Sequence, residues 1–258
     1  MLKSVAVLMS SCGVLLAGCG PDSHDANAET VANLLKAGFR AEDITVVDGA
    51  VHVGGDAHVP LAASREMLQP GEGSQEHYRS ANLVGPNVTT ICVHPSSEFS
   101  GNQLLYSGLL RALTNYNMLG LRLRFLLGTS TGCDATISAR TMRGTGHSAG
   151  QPSGGLPYGV ILIGTGLSDY GVYAAEHVIT HALGHTIGLR HTDYYNPNIS
   201  CSTGGGGGPG EPTGVGAIHI PGTPTTATPG GSIMNTCFPL DTTGNFTSTD
   251  IAALNALY

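Results

Sequence analysis

The chain predicts an α+β fold: a twisted mixed sheet with two long helices, then an irregular part closed by a short terminal helix, with a small helix-and-hairpin unit in front. Three observations carry this expectation. The β-branched, apolar run 88–93, the alternation of Leu with Arg over 121–127, the run 135–140 and the apolar run 160–163 read as strands, the last of them buried. Helical periodicity occupies 100–117 and the stretch ending at Ile187. Residues 196–231 are dominated by Gly, Pro and Thr, with five consecutive glycines at 204–208, a composition that no helix or central strand tolerates.

At the amino end, Lys3 precedes an apolar run over 5–17 and the sequence Leu16-Ala17-Gly18-Cys19. A charged start, a short hydrophobic stretch and small residues before a cut describe a secretory signal, and the run is too short to span a bilayer. Its ending resembles a bacterial lipobox, which makes 1–18 a lipoprotein-type signal peptide and Cys19 the lipidated residue; a plain secretory signal is the alternative. The protein is then expected to be exported, with membrane contact only through a lipid at Cys19, where one chain alone anchors weakly. Without 1–18, which hold one Lys and no acid, the formal charge moves from −7 to −8. An acidic chain with almost no lysine and no basic cluster repels phosphate backbones, so no nucleic-acid partner is expected.

Roughly 240 residues remain, enough for one large domain or a small one plus a larger one. Cys92, Cys133, Cys201 and Cys237 lie beyond the leader. An even count in an exported chain argues for two disulfides with three pairings open; Cys92 with Cys133 and Cys201 with Cys237 are preferred because each pair closes one region.

Residues 20–30 are polar and read as a tether. A helix follows over 30–38, with Val31, Leu34 and Leu35 at helical spacing and Gly38 as its stop. The runs 44–47 and 51–53 flank Asp48-Gly49, a strong two-residue hairpin turn. Residues 64–80 are polar and read as a connection, so the chain divides into a front part, 19–78, and a body, 79–258. In the body, Leu105, Leu109, Ala112 and Tyr116 share one helical face, with Ser100 as a possible cap. The second long helix is expected to start after Ser168-Asp169 and to bury Val172, Ala175, Ile179, Leu183 and Ile187. An extended piece at 217–220 interrupts the long loop, and Ser248 is expected to cap a helix over 249–257.

The chemistry gathers in the second helix. His181 and His185 are four apart, about 40° around the axis, so both imidazoles leave one face. Gly188 permits the positive φ that ends a helix, and the returning chain can bring His191 to the same point. Three neutral imidazoles around one open position describe a catalytic zinc site, so Zn2+ is the expected cofactor. His177, one turn earlier, is expected near the metal's ligands or exposed rather than ligating. Asp193 is expected to accept a hydrogen bond from a ligand imidazole or to cap the local turn. Tyr194 and Tyr195 either line a cleft or sit on a surface turn, and His219 is read as exposed.

The pattern His181-x-x-x-His185-x-x-Gly188-x-x-His191 resembles the metzincin signature, and Ser232-Ile233-Met234-Asn235 resembles the Met-turn that those enzymes place beneath the three imidazoles. With the lipobox-like leader, the front unit and Thr192-Asp193, the chain resembles the dual-action HEIGH metallo-peptidases. That resemblance implies a zinc endopeptidase acting on proteins or peptides, a metzincin-like fold split by a cleft, and an inhibitory pro-region within 19–78. A monomer is expected. Val53-Gly54-Gly55-Asp56 is similar to the F-x-G-D segment of astacin propeptides, whose Asp caps the zinc; an ordinary surface turn is the favoured reading of Asp56.

Two departures matter. The position after the first His carries Glu in these enzymes, where it takes the proton from the activated water; here it is Ala182, and a methyl group is no base. Astacins also carry a metal-binding Tyr two residues after the Met, where this chain has Thr236. Two readings follow: a peptidase whose Glu has been replaced, which is preferred because every other motif member is present, or a natural pseudo-protease, a zinc-containing, peptide-binding lipoprotein of the cell envelope.

Overall fold

The computed structural model describes residues 23–68, 77–128, 131–201, 217–224, 226–239 and 241–258. The leader with Cys19 and the five-glycine run lie outside the described residues. The front of the chain begins with helix α1 (Ser23–Lys36). Much of the stretch read as a tether is therefore helical: from Ser23 onward it carries Ala26, Ala28 and Ala32 and neither Gly nor Pro, and Leu34 gives it something to bury. Gly38, at φ 98°, turns the chain out of it as expected.

Strands β1 (Ile44–Val47) and β2 (Ala50–Val53) form the predicted hairpin, with Val47 facing Ala50. Asp48 and Gly49 both take positive φ, 50° and 76°, the backbone that lets a two-residue loop follow the twist of its strands. A two-residue strand β3 (Ala57–His58) returns along β2. Helix α2 (Leu61–Glu66) starts behind Pro60 and occupies the beginning of the stretch read as a polar connection. Ala63, Ser64 and Met67 are buried there, so its inward face was hidden among polar neighbours. Leu34, Phe39, Val51, Val53, Ala57, Val59, Ala63 and Met67 make a small core of their own.

The body follows: β4 (Tyr78–Arg79), β5 (Thr90–Pro95), α3 (Ser97–Gly101), α4 (Gln103–Met118), β6 (Arg124–Leu127), β7 (Ala135–Met142), β8 (His147–Gly150), β9 (Val160–Gly164), a 3-10 turn (Thr165–Tyr170), α5 (Val172–Thr186), β10 (Ile218–His219) and α6 (Ser248–Leu257). Several boundaries differ from expectation for local reasons. The Ser100 cap is replaced by Asn102, whose side chain accepts from Leu105 N and splits the segment into α3 and α4. Ser168 and Asp169 lie inside the 3-10 turn, and Gly171 at φ 91° starts α5 instead. Thr247, not Ser248, caps α6, in a reciprocal capping box with Asp250.

Strand β8 was absent from the sequence reading, because His-Ser-Ala-Gly carries little strand propensity. Among the described residues one eight-stranded sheet runs β1-β2-β3-β8-β9-β7-β5-β6. Strands β6, β5, β7 and β9 are parallel; β8 is antiparallel to β9, and β3 pairs parallel with β8 through Ala57↔Ala149 and His58↔Gly150. The front unit thus extends the body's sheet at the strand nearest α5.

The main core joins Ile91, Val93, Ile137, Ile161 and Ile163 of the sheet to Leu105, Leu109, Tyr116, Ile179 and Leu183 of α4 and α5. The two helices cross closely at Gly108, where a Cβ would stand 2.8 Å from the Ala175 Cβ. Cys92–Cys133 ties β5 to the turn before β7, and Cys201–Cys237 ties two loops of the lower part, with Cα–Cα distances of 5.7 and 5.0 Å. Both pairs are the expected ones. No helix among the described residues is long and apolar enough to cross a membrane.

Candidate metal centre

Every residue of α5 from Ala174 to Thr186 is buried, so its histidines sit at the bottom of the molecule's interior rather than on a wet face. The helix ends as Gly188 predicts. Gly188 takes φ 106°, Leu189 N donates to Gly184 O at 3.0 Å and Gly188 N to His185 O at 3.0 Å, the paired closure of a Schellman end. A Cβ at 188 would meet Asn82 O at 2.6 Å, a second reason for glycine. The chain then reverses and delivers His191.

His181 Nδ1 lies 2.8 Å from Ile233 O, and His185 Nδ1 lies 2.9 Å from Leu189 O. A carbonyl can only accept, so each Nδ1 carries the proton and each Nε2 presents a bare lone pair. The Nε2 atoms converge: 3.0 Å from His181 to His185, 3.3 Å from His185 to His191 and 3.2 Å from His191 to His181. Burial drives the pKa of His181 well down and that of His185 down, which keeps both rings neutral.

Asp56 completes the group. Its Oδ2 is 3.2 Å from His181 Nε2 and 3.4 Å from His185 Nε2, and its Oδ1 is 3.4 Å from His191 Nε2. The surface-turn reading of Asp56 is corrected: Gly54 and Gly55, at φ 63° and 89°, form a turn at the edge of the front unit, and docking of that unit inserts the turn into the body. Ala149 N donates to Asp56 O and fixes the insertion. Burial would raise the Asp56 pKa, but the ring of imidazoles around it, His191 and His185 first and then His147 and His181, outweighs burial and holds the carboxyl well below the usual range.

These residues fit a metal ion. Donors at the zinc distances for imidazole, arranged tetrahedrally, lie about 3.3–3.5 Å from one another, close to the three Nε2 separations above, and the Asp56 carboxylate meets the three rings with both of its oxygens, Oδ2 toward His181 and His185 and Oδ1 toward His191. Without a cation between them, bare lone pairs at such distances repel. Asp56 Oδ1 is moreover a buried oxygen with no hydrogen-bond partner. Among the described residues this is the group of His, Cys, Asp or Glu side chains able to hold an ion, and its carboxylate comes from the front unit.

Below the centre, Met234 is fully buried and its carbonyl accepts from Thr192 N. A Cβ at Gly184 would stand 2.6 Å from Met234 Sδ, so α5 rests on the thioether through glycine. Asp250, a residue missed by the sequence reading, shapes this turn: it accepts from Ser232 Oγ and from Ile233 N. Its capping position was legible, its reach to the turn was not.

Among the described residues the partners of Asp193 are backbone and hydroxyl groups, not an imidazole. Its Oδ1 takes Thr236 N and Oγ1, and its Oδ2 takes Ser200 N and Oγ, so it clamps the turn after His191 to the loop carrying Cys237. Thr236 is therefore committed to that clamp. Ala182 is fully buried. Glu176 points elsewhere, to Asn115 Nδ2 and Arg111.

His177 is neither exposed nor at the centre: it is buried against Phe238 with ring centroids 4.0 Å apart, its Nδ1 donates to Thr243 O, and burial lowers its pKa to about 4. Tyr194 is buried edge-on against Tyr78, Tyr195 Oη accepts from Ala227 N, and His219 meets Thr223 Oγ1. His147 was not singled out by any spacing, yet its Nε2 lies 2.8 Å from Asp56 Oδ2.

A three-imidazole cage on a buried helix and its returning turn, under an α+β sheet and met by a carboxylate from the same chain, defines a metal-dependent enzyme scaffold. The profile of the dual-action HEIGH metallo-peptidases matches residues 51–258, from β2 and Asp56 to the terminus, and the chain belongs to that family. Two solved structures of myroilysin are similar to it: one at 12% identity over 69% of this chain and 95% of the other, with a TM-score of 0.42, the second at 13% over 85% and 97%, with a TM-score of 0.38. No curated protein matches the chain.

Proposed function

We propose that this chain is the latent form of an exported zinc endopeptidase of metzincin type, blocked by its own Asp56 and lacking the general base at Ala182. The observation that supports it is the convergence of His181, His185, His191 and Asp56, whose ligand atoms all lie within 4.8 Å of one another. His181, His185 and His191 would hold zinc, and Asp56 would cap the position a substrate needs. Zinc bound there would supply Lewis acidity to a peptide carbonyl and ease the deprotonation of water. Met234 and Asp193 support the cage from below, and Gly188 turns the chain so that His191 can join it.

On this reading residues 19–78 are the inhibitory pro-region, with its own small core and its hairpin added to the body's sheet, and 79–258 are the peptidase body. The protein is a monomer acting on protein or peptide substrates, exported as a lipoprotein through Cys19 or secreted. The buried methyl of Ala182 also favours the second reading, a pseudo-protease that binds zinc and peptide without cutting. A positioned general base contributes about 10²–10⁴ in rate, so the chain as it stands should be nearly inert.

Two measurements test the proposal. The protein should retain about one zinc per chain after dialysis at neutral pH and lose it in His185→Ala; full occupancy in that variant overturns the centre. Ala182→Glu should cleave casein, shed the residues before about 80, and stop when a zinc chelator is added. A restored, zinc-loaded chain that has lost its pro-region and binds peptide without cutting it would establish the pseudo-protease instead.

A further inference from the structure

We propose that His147 is the hydrogen-bond donor that receives the oxygen of a bound peptide, carbonyl or carboxylate, in the place where Asp56 Oδ2 now sits. The proposal rests on the metal-centre reading above. Its first ground is position. His147 opens β8, between β9 of the body and β3 of the front unit, and belongs to the body. Departure of the front unit would take Asp56 away and leave His147 in place, on what would then be the sheet's edge beside His181.

The second ground is contact. His147 Nε2 stands 2.8 Å from Asp56 Oδ2, its ring meets that of His181 edge-on at 5.0 Å, and 14% of its side chain is exposed. Asp56 Oδ2 is also the oxygen nearest His181 and His185, so a group that replaces it at the centre must arrive within reach of His147. Nε2 is buried, and the Asp56 carboxylate is the polar group it approaches in the latent form, so a group that takes the place of Oδ2 inherits that approach.

The third ground is rigidity. The turn leading into His147 is held against the end of β9 by Gly164 N to Gly146 O and Gly166 N to Gly144 O, both 2.8 Å. A Cβ at Gly164 would stand 2.3 Å from Gly144 O, so only glycine allows this approach. An imidazole carried on backbone pinned on both sides is a preorganised group, the condition under which a single donor is effective.

The test uses the full chain with cobalt in place of zinc and Asp56→Ala, which opens a hole the size of a carboxylate. Formate fills it, and N-methylacetamide serves as a neutral carbonyl probe; binding of each is followed by the visible spectrum of the cobalt. Adding His147→Phe should weaken both probes at least tenfold, whereas His147→Gln, which keeps an N–H near the Nε2 position, should stay within about threefold of the parent. If Phe is not tolerated, His147→Leu makes the same comparison.

Affinities unmoved by Phe or Leu overturn the assignment, as does an equal loss in Gln, which would mark His147 as packing. An effect on formate with none on N-methylacetamide overturns the carbonyl role. Cobalt retained in these cases leaves the metal centre standing, whereas failure of the Asp56→Ala chain to hold cobalt sinks the centre and the His147 assignment together.

Discussion

Buried His177 makes a pH-dependent contribution to stability that can be worked out in advance. Its folded pKa is about 4, against 6.5 for the free side chain, and burial is the leading cause. A histidine with a depressed folded pKa takes up its proton more readily when unfolded, so its stabilisation is present above about pH 6.5 and is lost as pH falls toward 4. Each pKa unit is worth about 1.4 kcal/mol, so lowering the pH from 7.5 to 4.5 should cost about 2–3 kcal/mol through this one group.

The variant is His177→Phe, which fits beside Phe238 and cannot titrate. It leaves the Thr243 carbonyl without its donor, a cost of about 1–3 kcal/mol that does not depend on pH. Urea unfolding of both proteins at several pH values between 7.5 and 4.5 separates the two effects. The offset should appear at all pH values, and the variant's stability should fall less steeply, by about 2–3 kcal/mol over the range. Protonation of His181 and His185, whose pKa values burial also lowers, is common to both and cancels in the difference. Parallel curves for the two proteins would refute the argument.

Two other substitutions follow from packing. Gly184→Ala should gain about 1 kcal/mol of helix propensity but drive a methyl into Met234 Sδ, for a net loss of about 1–2 kcal/mol in unfolding free energy and a weaker grip on zinc; an unchanged melting temperature and metal affinity would show that Met234 does not bear on α5. Replacing Cys201 and Cys237 by Ser should cost about 3–4 kcal/mol, from a closed loop with a sequence separation of 36, and expose the Asp193 clamp to proteolysis; wild-type resistance in the double variant would contradict that reading.

What the sequence discloses about this molecule divides by range along the chain. The hairpin at Asp48-Gly49, the Gly188 helix end and the buried face of α4 are set by residues a few positions apart, and the pattern of each is enough to read it. Strand β8 is not like this. His-Ser-Ala-Gly has no strand character of its own and becomes a strand because β9 and β3 pair with it on either side. The same holds for Asp56, whose turn reads correctly but whose destination is a helix 125 positions away.

The interpretation of the site turns on those long-range facts. Three histidines at the right spacing are visible in one stretch of sequence and specify a cage. Whether the cage is open, what caps it and what else touches the capping oxygen depend on where a separate unit docks. Docking is itself marked only indirectly, by the small core around Leu34 and Val51 and by a turn of two glycines that lets Asp56 protrude. His147 lies where that docking meets the body, in contact with both the capping carboxylate and a histidine of the cage. A residue whose significance comes wholly from two segments folded onto it leaves no periodicity and no motif, which is why neighbouring strands had to be placed before it could be seen.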